Sequence, residues 1–378
     1  MLTRRTVLAG IAASSLVSSA SAADTIKVGV IIPLSGGAGR QGQDVANSVQ
    51  AMATLINEGG GVLGRQLEIL VRDDESTPAI GVAKANELAS AGASVVLEGW
   101  NSPVTLAMQS VLARADVLDI TMISKADTIL TSASNPLAIR LNSANAQDAA
   151  IIAKYVSGRM KTGRVVFVTE NDAYGNGAQQ GIEAEFKKAG LDLTIASTQK
   201  FPFAQTDFRV ETTSVRDAKP DLVISINANE GAGLPAFLQQ YAQAQVSAPL
   251  VCAVGTVSPS VIETAGKSAD GLYSADIYFP NSEPFASDPE NKRFVAQMQK
   301  QFKTTPDKYM ALAGAALQVW AKAAESAKSL ERKAVAGAIR GKEIPGTIFG
   351  TARFDASGQL AHRYFVFTVK DSKIVVES

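Results

Sequence analysis

The chain is poor in the residues that build metal, redox and nucleophilic sites. Its 378 residues hold one cysteine, Cys252, and one histidine, His362. A single cysteine excludes an intrachain disulfide. One cysteine and one histidine together exclude a soft-metal site. Cys252 lies in the run Leu250-Val251-Cys252-Ala253-Val254, the setting of a small buried hydrophobe. His362 has no evident triad partners. It sits by a turn between two strands, which suits a surface or packing role. No G-x-S-x-G nucleophile elbow occurs, and no strong catalytic constellation is found. Net charge is lacking too, with 36 basic residues against 36 acidic ones. No basic stripe appears, which argues against nucleic acid and anionic membrane as partners.

What is present begins at the N-terminus. Arg4 and Arg5 precede an apolar stretch from Val7 to Val17 and small residues ending Ala20-Ser21-Ala22. This is the layout of a cleavable export signal over residues 1–22. The apolar stretch is shorter than the roughly 20 residues needed to span a bilayer. Thr3-Arg4-Arg5 slightly resembles a twin-arginine signal, so either that route or the general secretory route fits. Cys252 does not follow the signal, so it is no lipid-anchored first residue. Removing Arg4 and Arg5 lowers the basic count from 36 to 34 against 36 acids. The expected product is a near-neutral periplasmic protein.

Behind the signal, apolar strands alternate with helices. Strands are expected at residues 26–33, 67–71, 95–97 and 118–122. The helix over 42–58 carries Val45, Val49, Met52 and Ile56 on one face and is closed by Gly59. Thr77-Pro78 and Ser102-Pro103 start the next two helices, with proline in the first turn. The cycle restarts after Arg140-Leu141-Asn142. Strands are expected at 165–168, 193–196, 222–226 and 250–253, with a helix over 177–189. Such alternation means doubly wound parallel sheets covered on both faces. Two runs of about 120 residues mean two lobes. The tail reads as helices over 288–302, 309–328 and 331–340, then strands at 351–354 and 364–369 around the turn Asp355-Ala356-Ser357-Gly358. It completes the two lobes rather than forming a third.

Two motifs invite a chemical reading. Gly37-Ala38-Gly39-Arg40-Gln41-Gly42 matches G-x-G-x-x-G between a strand and a helix. The acid expected about 20 residues later is missing, because Asp73 and Asp74 come about ten residues further on. The loop nevertheless places Arg40 and Gln41 by a helix N-terminus, where anions bind well. Asp73-Asp74-Glu75 suggests a hard-metal cluster, but adjacent residues of an extended segment point in alternating directions. A solvated strand end is the favoured reading.

In open α/β sheets ligands bind beyond the carboxyl ends of strands. Those positions are Arg40-Gln41, Gly99-Trp100-Asn101-Ser102 and Ile123-Ser124-Lys125 in the first lobe. In the second they are Asp172-Ala173-Tyr174-Gly175, Asn227-Ala228-Asn229-Glu230 and Gly255-Thr256. Hydrogen-bonding groups mixed with a few aromatics suit a small polar ligand with an apolar body.

Residues 26–36, residues 56–68 with their Asn57-Glu58-Gly59-Gly60-Gly61-Val62-Leu63-Gly64 core, Asp73-Asp74-Glu75-Ser76 with Pro78, Asn171-Asp172-Ala173-Tyr174-Gly175 and Thr206-Asp207-Phe208 together resemble the branched-chain amino-acid-binding family of periplasmic proteins. The resemblance spans the mature chain. It implies a substrate-binding subunit of an ATP-driven (ABC) importer, with two lobes joined by a three-strand hinge, the type I periplasmic binding protein architecture. It implies a first lobe of residues 24–142 plus 277–350 and a second of 143–276 plus 351–378. The ligand's carboxylate would be held by Asn101, Ser102 and the Ile123, Ser124, Lys125 segment. Tyr174 would pack on the ligand, with a further contact near Asn229, and Gly255 and Thr256 are expected at the site from their place after a strand end.

Two departures bear on the ligand. The family's amino-acid binders place an acid after the strand at 250–253 to meet the ammonium, where this chain has Gly255-Thr256. Lys125 stands where a small hydroxyl residue is usual. An added cation and a missing anion favour a carboxylate without an ammonium. Trp100 offers a flat apolar wall. The expected ligand is an aromatic or branched organic acid, 2-oxo acids included, and Glu230 as a substitute acid leaves amino acids as the alternative. The expected protein is a monomeric, non-enzymatic binder that needs no cofactor and works with a membrane permease. An exported nucleotide-dependent oxidoreductase is the rival from another class. A sensory ligand-binding subunit shares the fold.

Overall fold

A computed structural model describes residues 25–377 apart from Ser132 and Ser134. The export-signal reading at residues 1–22 therefore lies outside the described residues. Five strands, β1 (Ile26–Ile32), β2 (Leu67–Asp73), β3 (Val95–Glu98), β4 (Leu118–Thr121) and β5 (Ile139–Arg140), form one parallel sheet in the order β2-β1-β3-β4-β5. Every residue of β3 and β4 is buried, because helices cover both faces.

The second sheet begins with β6 (Thr162–Glu170), β7 (Asp192–Phe201), β8 (Leu222–Ile226), β9 (Leu250–Cys252) and β10 (Tyr273–Asp276). A separate antiparallel pair, β11 (Glu343–Thr347) and β12 (Gly350–Arg353), precedes β13 (Phe365–Lys370) and β14 (Lys373–Val376). The order is β14-β13-β10-β9-β8-β6-β7, with β13 and β14 antiparallel at one edge. The molecule is thus an α/β protein with two doubly wound lobes.

The largest core joins the first sheet to later helices. Val45, Val49 and Met52 of helix Gly39–Glu58 are buried with Leu312, Val319 and Trp320 of helix Lys308–Ala327. On the same helix Gly314 makes room for the Phe294 ring, which a side chain there would meet at 2.8 Å. Asp307 caps that helix by accepting from the Met310 amide at 3.1 Å.

The chain passes between the lobes three times: after Arg140, after Asp276 and before Phe365. The first and third passages run side by side. Arg140 N donates to Gly358 O at 2.9 Å, and Leu360 N donates to Arg140 O at 3.0 Å. The Gln359 amide donates to Asn142 O and accepts from Arg140 Nε, both at 2.7 Å. His362 belongs to this joint, with Nε2 2.5 Å from Leu141 O and its ring against Phe349. Burial pushes its imidazole down to about 4, so it is neutral.

Several boundaries differ from the sequence expectation. Helices begin at Gly39 and Ala173, earlier than the expected 42 and 177. The glycines there sit inside helices because backbone approaches them closely. A Cβ on Gly42 would lie 1.7 Å from Pro33 O, and one on Gly175 would lie 2.1 Å from Glu170 O. Strands β5, β10, β11 and β14 were not expected. The Tyr-Ser-Ala-Asp of β10 is polar, and its buried Ser274 hydroxyl is satisfied by Ala253 O at 3.0 Å. Among the described residues, no helix is long and apolar enough to cross a membrane.

Candidate functional site

Strand-end loops of both sheets meet across the gap between the lobes. In the first lobe, β3 ends at Gly99, whose φ of +98° and crowding by Thr105 and Ser124 leave no room for a side chain. The turn delivers Trp100, Asn101 and Ser102 to the start of helix Ser102–Arg114. Asn101 caps this helix without a side-chain hydrogen bond; Pro103 carries no N–H and Val104 N donates to Asn101 O at 3.0 Å, so the first turn offers a ligand the Ser102 amide beside the Asn101 side chain. Ser102 Oγ accepts from the amides of Lys125 and Ala126 at 3.2 and 3.1 Å, tying this loop to the one after β4. Asn142 Nδ2 donates to Ile123 O at 2.6 Å and braces that loop from the first passage.

In the second lobe, β6 ends at the buried Glu170, and Asp172 caps helix Ala173–Lys188 by accepting from Gly175 N at 2.8 Å. Glu170 accepts from the Ala228 amide at 2.5 Å. Burial, with the Asp172 carboxylate nearby, pushes Glu170 up to about 8. Tyr174, at the start of that helix, is buried. Thr256 follows β9, its hydroxyl donating to Ala253 O at 2.9 Å.

The lobes are shut. A Cβ on Gly231 would lie 2.1 Å from Gly37 O of the opposite lobe. Lys125 crosses the gap, donating to Asp148 Oδ2 at 2.6 Å and to Val254 O at 2.7 Å. Tyr309, from helix Lys308–Ala327, stacks tilted on Trp100 at 4.9 Å between centroids. Its hydroxyl donates to Gly255 O at 2.7 Å and meets Glu230 Oε1. A phenol has one proton. Burial pushes Glu230 up to about 8, so its own carboxyl proton serves the second contact at neutral pH. Lys308 Nζ donates to Gly255 O at 2.6 Å over the Tyr309 ring.

What remains between the walls is a cavity of about 30 Å³. That holds a water or two. Of the residues expected from sequence, Trp100, Asn101, Ser102, Ile123, Lys125, Tyr174 and Thr256 line it together. The others stand apart. Arg40 and Gln41 line a separate cavity of about 150 Å³ at the mouth, shared with Glu230. Ser124 is buried behind the wall, 2.8 Å from the Thr105 hydroxyl. The Asn229 side chain donates to Phe203 O and accepts from Ala232 N, at 2.8 and 3.1 Å. Gly255 presents its carbonyl to Lys308 and Tyr309.

Asp172 and Ala228, from the expected strand-end loops, also line the cavity, as do Asn142, Glu170 and Tyr309, which were not expected there. An acid ending the apolar strand of Glu170 was a usable signal. Tyr309 offered none, since its helix is far along the chain. The glycine-rich loop serves packing: a Cβ on Gly39 would lie 2.9 Å from Leu34 O, and one on Gly37 would strike the Asn229 side chain. In the acidic run, Asp73 accepts from the Leu34 and Glu75 amides, each at 2.8 Å. Asp74 is buried and accepts from Ser76 N at 2.8 Å. Among the described residues, no group of three or more histidine, cysteine and acidic side chains is placed to hold a metal ion.

Known proteins resemble this chain in sequence and in fold. A Leu/Ile/Val-binding protein of Rhizobium johnstonii is 29% identical over 367 residues, covering 96% of each chain. A Leu/Ile/Val-binding protein homolog of Brucella melitensis is 24% identical, covering 94% of this chain and 93% of that one. A leucine-binding protein from Thermotoga maritima superposes with a TM-score of 0.82 at 22% identity, over 94% of this chain and 98% of that one. A solute-binding protein of an ABC transporter from Rhodopseudomonas palustris, in complex with 3,4-dihydroxybenzoic acid, gives 0.81 at 22% identity, over 93% and 95%. The model of the periplasmic binding protein family matches residues 25–373, so this chain, with its two lobes and the gap between their strand-end loops, belongs to that family.

Proposed function

We propose that the protein is an exported solute-binding component that captures a small organic acid between its lobes in the periplasm and passes it to the permease of an ABC importer. The ligand is an aromatic or branched carboxylate, 2-oxo acids included, and it is bound without being turned over. The observation that carries this reading is the first-lobe wall. The start of helix Ser102–Arg114, with an uncommitted Asn101 cap, faces a gap flanked by Trp100, Tyr309 and Tyr174. A helix N-terminus receives a carboxylate, and the rings receive its apolar body.

Lys125 contributes through opening. Its partners Asp148 and Val254 belong to the second lobe, so parting the lobes frees the ammonium for an incoming anion. The second-lobe wall disfavours amino acids, because its Glu230 is neutral near pH 7 and engaged by Tyr309. Solved relatives carry both ligand classes: Rhodopseudomonas palustris solute-binding proteins were crystallised with benzoate and with 4-hydroxybenzoate, and proteins of Streptococcus pneumoniae and Desulfitobacterium hafniense with isoleucine and leucine. The ligand favours the closed state by the contacts it makes to both walls.

Thermal-shift screening of the mature protein against benzoate, 4-hydroxybenzoate, 4-methyl-2-oxopentanoate and leucine tests this. A true ligand at 100 times its Kd adds about 2.7 kcal/mol of stability. Stabilisation by leucine alone, or consumption of the bound acid, would overturn the reading.

A further inference from the structure

The central cavity, at about 30 Å³, is too small for the apolar body of any such acid. Beyond Tyr309 lies a second cavity of about 310 Å³. Its walls are the loop after β9 at residues 255–259, the second passage between the lobes at 276–282, and the turn at 305–308. Tyr309 lines both cavities, and its hydrogen bond to Gly255 O, reinforced by that of Lys308 to the same oxygen, closes the partition between them. The larger cavity combines apolar surface from Val257, Tyr278 and Phe279 with the carboxylates of Asp276 and Asp307. Its one cation, Lys308, is spent on Gly255 O and the Tyr309 ring.

We propose that this cavity is the distal compartment of the ligand site. It is reached when Tyr309 leaves the partition, and it selects carboxylates that carry an ammonium or another hydrogen-bond donor at the end remote from the carboxylate. The inference rests on the carboxylate reading above. A volume of about 310 Å³ lies at the lower end of small-molecule sites, which run to roughly 1,000 Å³. Two carboxylates offer acceptors only, so a donor is the group they recognise. Asp307 is pushed up to about 6 by burial, and an arriving cation offsets that burial. The compartment spans the second passage, so its occupant also contacts both lobes and favours closure.

The test is calorimetric titration of the mature protein with benzoate, 4-ethylbenzoate and 4-(aminomethyl)benzoate. The last two have similar length and differ in the terminal ammonium. Wild type is expected to prefer the aminomethyl acid over the ethyl acid by about tenfold or more, the scale of one charge-assisted hydrogen bond. The double variant Asp276→Asn, Asp307→Asn should bring that ratio close to one. Tyr309→Ala should raise the affinity of both substituted acids relative to benzoate by about tenfold, because the partition is gone. Tyr309→Leu replaces it if the alanine variant fails to fold, and the wild-type ratio stands regardless. Benzoate binding with equal affinities for the two long acids, or ratios untouched by the variants, overturns the distal compartment and leaves the carboxylate reading intact. Failure of every carboxylate to bind overturns both.

Discussion

The first lobe faces the gap with Asn101, Ser102 and Lys125, whereas the second faces it with Glu170, Asp172 and Glu230. Both walls are built alike, from loops after parallel strands running into helix starts. The first wall commits its cation, Lys125, to the opposite lobe and leaves Asn101 without a side-chain cap bond. The second holds its acids neutral or capped: burial keeps Glu170 and Glu230 near 8, and Asp172 is engaged by its own helix. Among the described residues the one ion pair across the gap is Lys125 with Asp148, and hydrogen bonds of Lys125 to Val254 O and of Lys308 and Tyr309 to Gly255 O, with the Tyr309–Glu230 contact, hold the shut form beside it. A ligand therefore competes with contacts the lobes already make.

The most severe way to break the comparison is to keep the walls apart. Gly231 is exposed and touches the opposite lobe only when the gap is shut. Gly231→Val should leave folding unchanged while lowering ligand affinity about 100-fold or more, since one wall's contacts are lost. Small-angle scattering would show the open form persisting with ligand. A closed profile and normal affinity would refute the close approach.

Lys125 and Asp148 sharpen the contrast because they should act in opposite directions. Lys125→Met removes a donor to the ligand carboxylate and strands Asp148, with an expected loss of about ten- to 150-fold in affinity. Asp148→Asn releases Lys125 and should hold or raise affinity for acids. Titration of both variants with one acid decides it, and equal losses would mean that the pair acts only as a clasp.

A milder probe is pH. The folded-state values of Glu170 and Glu230, about 8, lie above their ordinary value of 4.5. The shut form binds more protons than an open or unfolded one across this window. Their favourable contribution is complete below about 4.5 and is lost as pH rises through 8. His362 opposes this at the acid end: its value near 4 lies below its ordinary 6.5, so its contribution is lost as pH falls between them. Melting curves should show Glu170→Gln and Glu230→Gln flattening the fall in ligand-free stability on the alkaline side. Unchanged slopes would mean the carboxyls are solvated.

The smallest effect is expected at the mouth. Arg40 lines a cavity away from the central one. Arg40→Ala should alter affinity by less than about threefold, with its effect concentrated in the association rate and in salt dependence. A large loss would move the ligand outward.

The alternation of short apolar strands with amphipathic helices was legible because periodicity is a local property. Leu222–Ile226 forms a strand as expected from its sequence. Residues of the expected strand-end loops line the central cavity because a strand's carboxyl end is itself readable. The G-x-G-x-x-G spacing misleads at the same local level: Gly39 and Gly42 answer to the carbonyls of Leu34 and Pro33 rather than to a phosphate. Strand β10 escaped because its polar residues are satisfied by partners from other segments.

The chain alone determined the lobed α/β plan and the loops that face the gap, since both follow from hydrophobic period and helix-start chemistry between near neighbours. Only the tertiary structure decided what those loops meet. It gave Lys125 its partner Asp148, set Tyr309 between two cavities, and turned Glu170 and Glu230 into neutral acids. The physical reason is that charge state and cavity shape depend on how much water is excluded and by which distant segment. Glu230 and Tyr309 lie 79 residues apart, and nothing in either neighbourhood records that they touch.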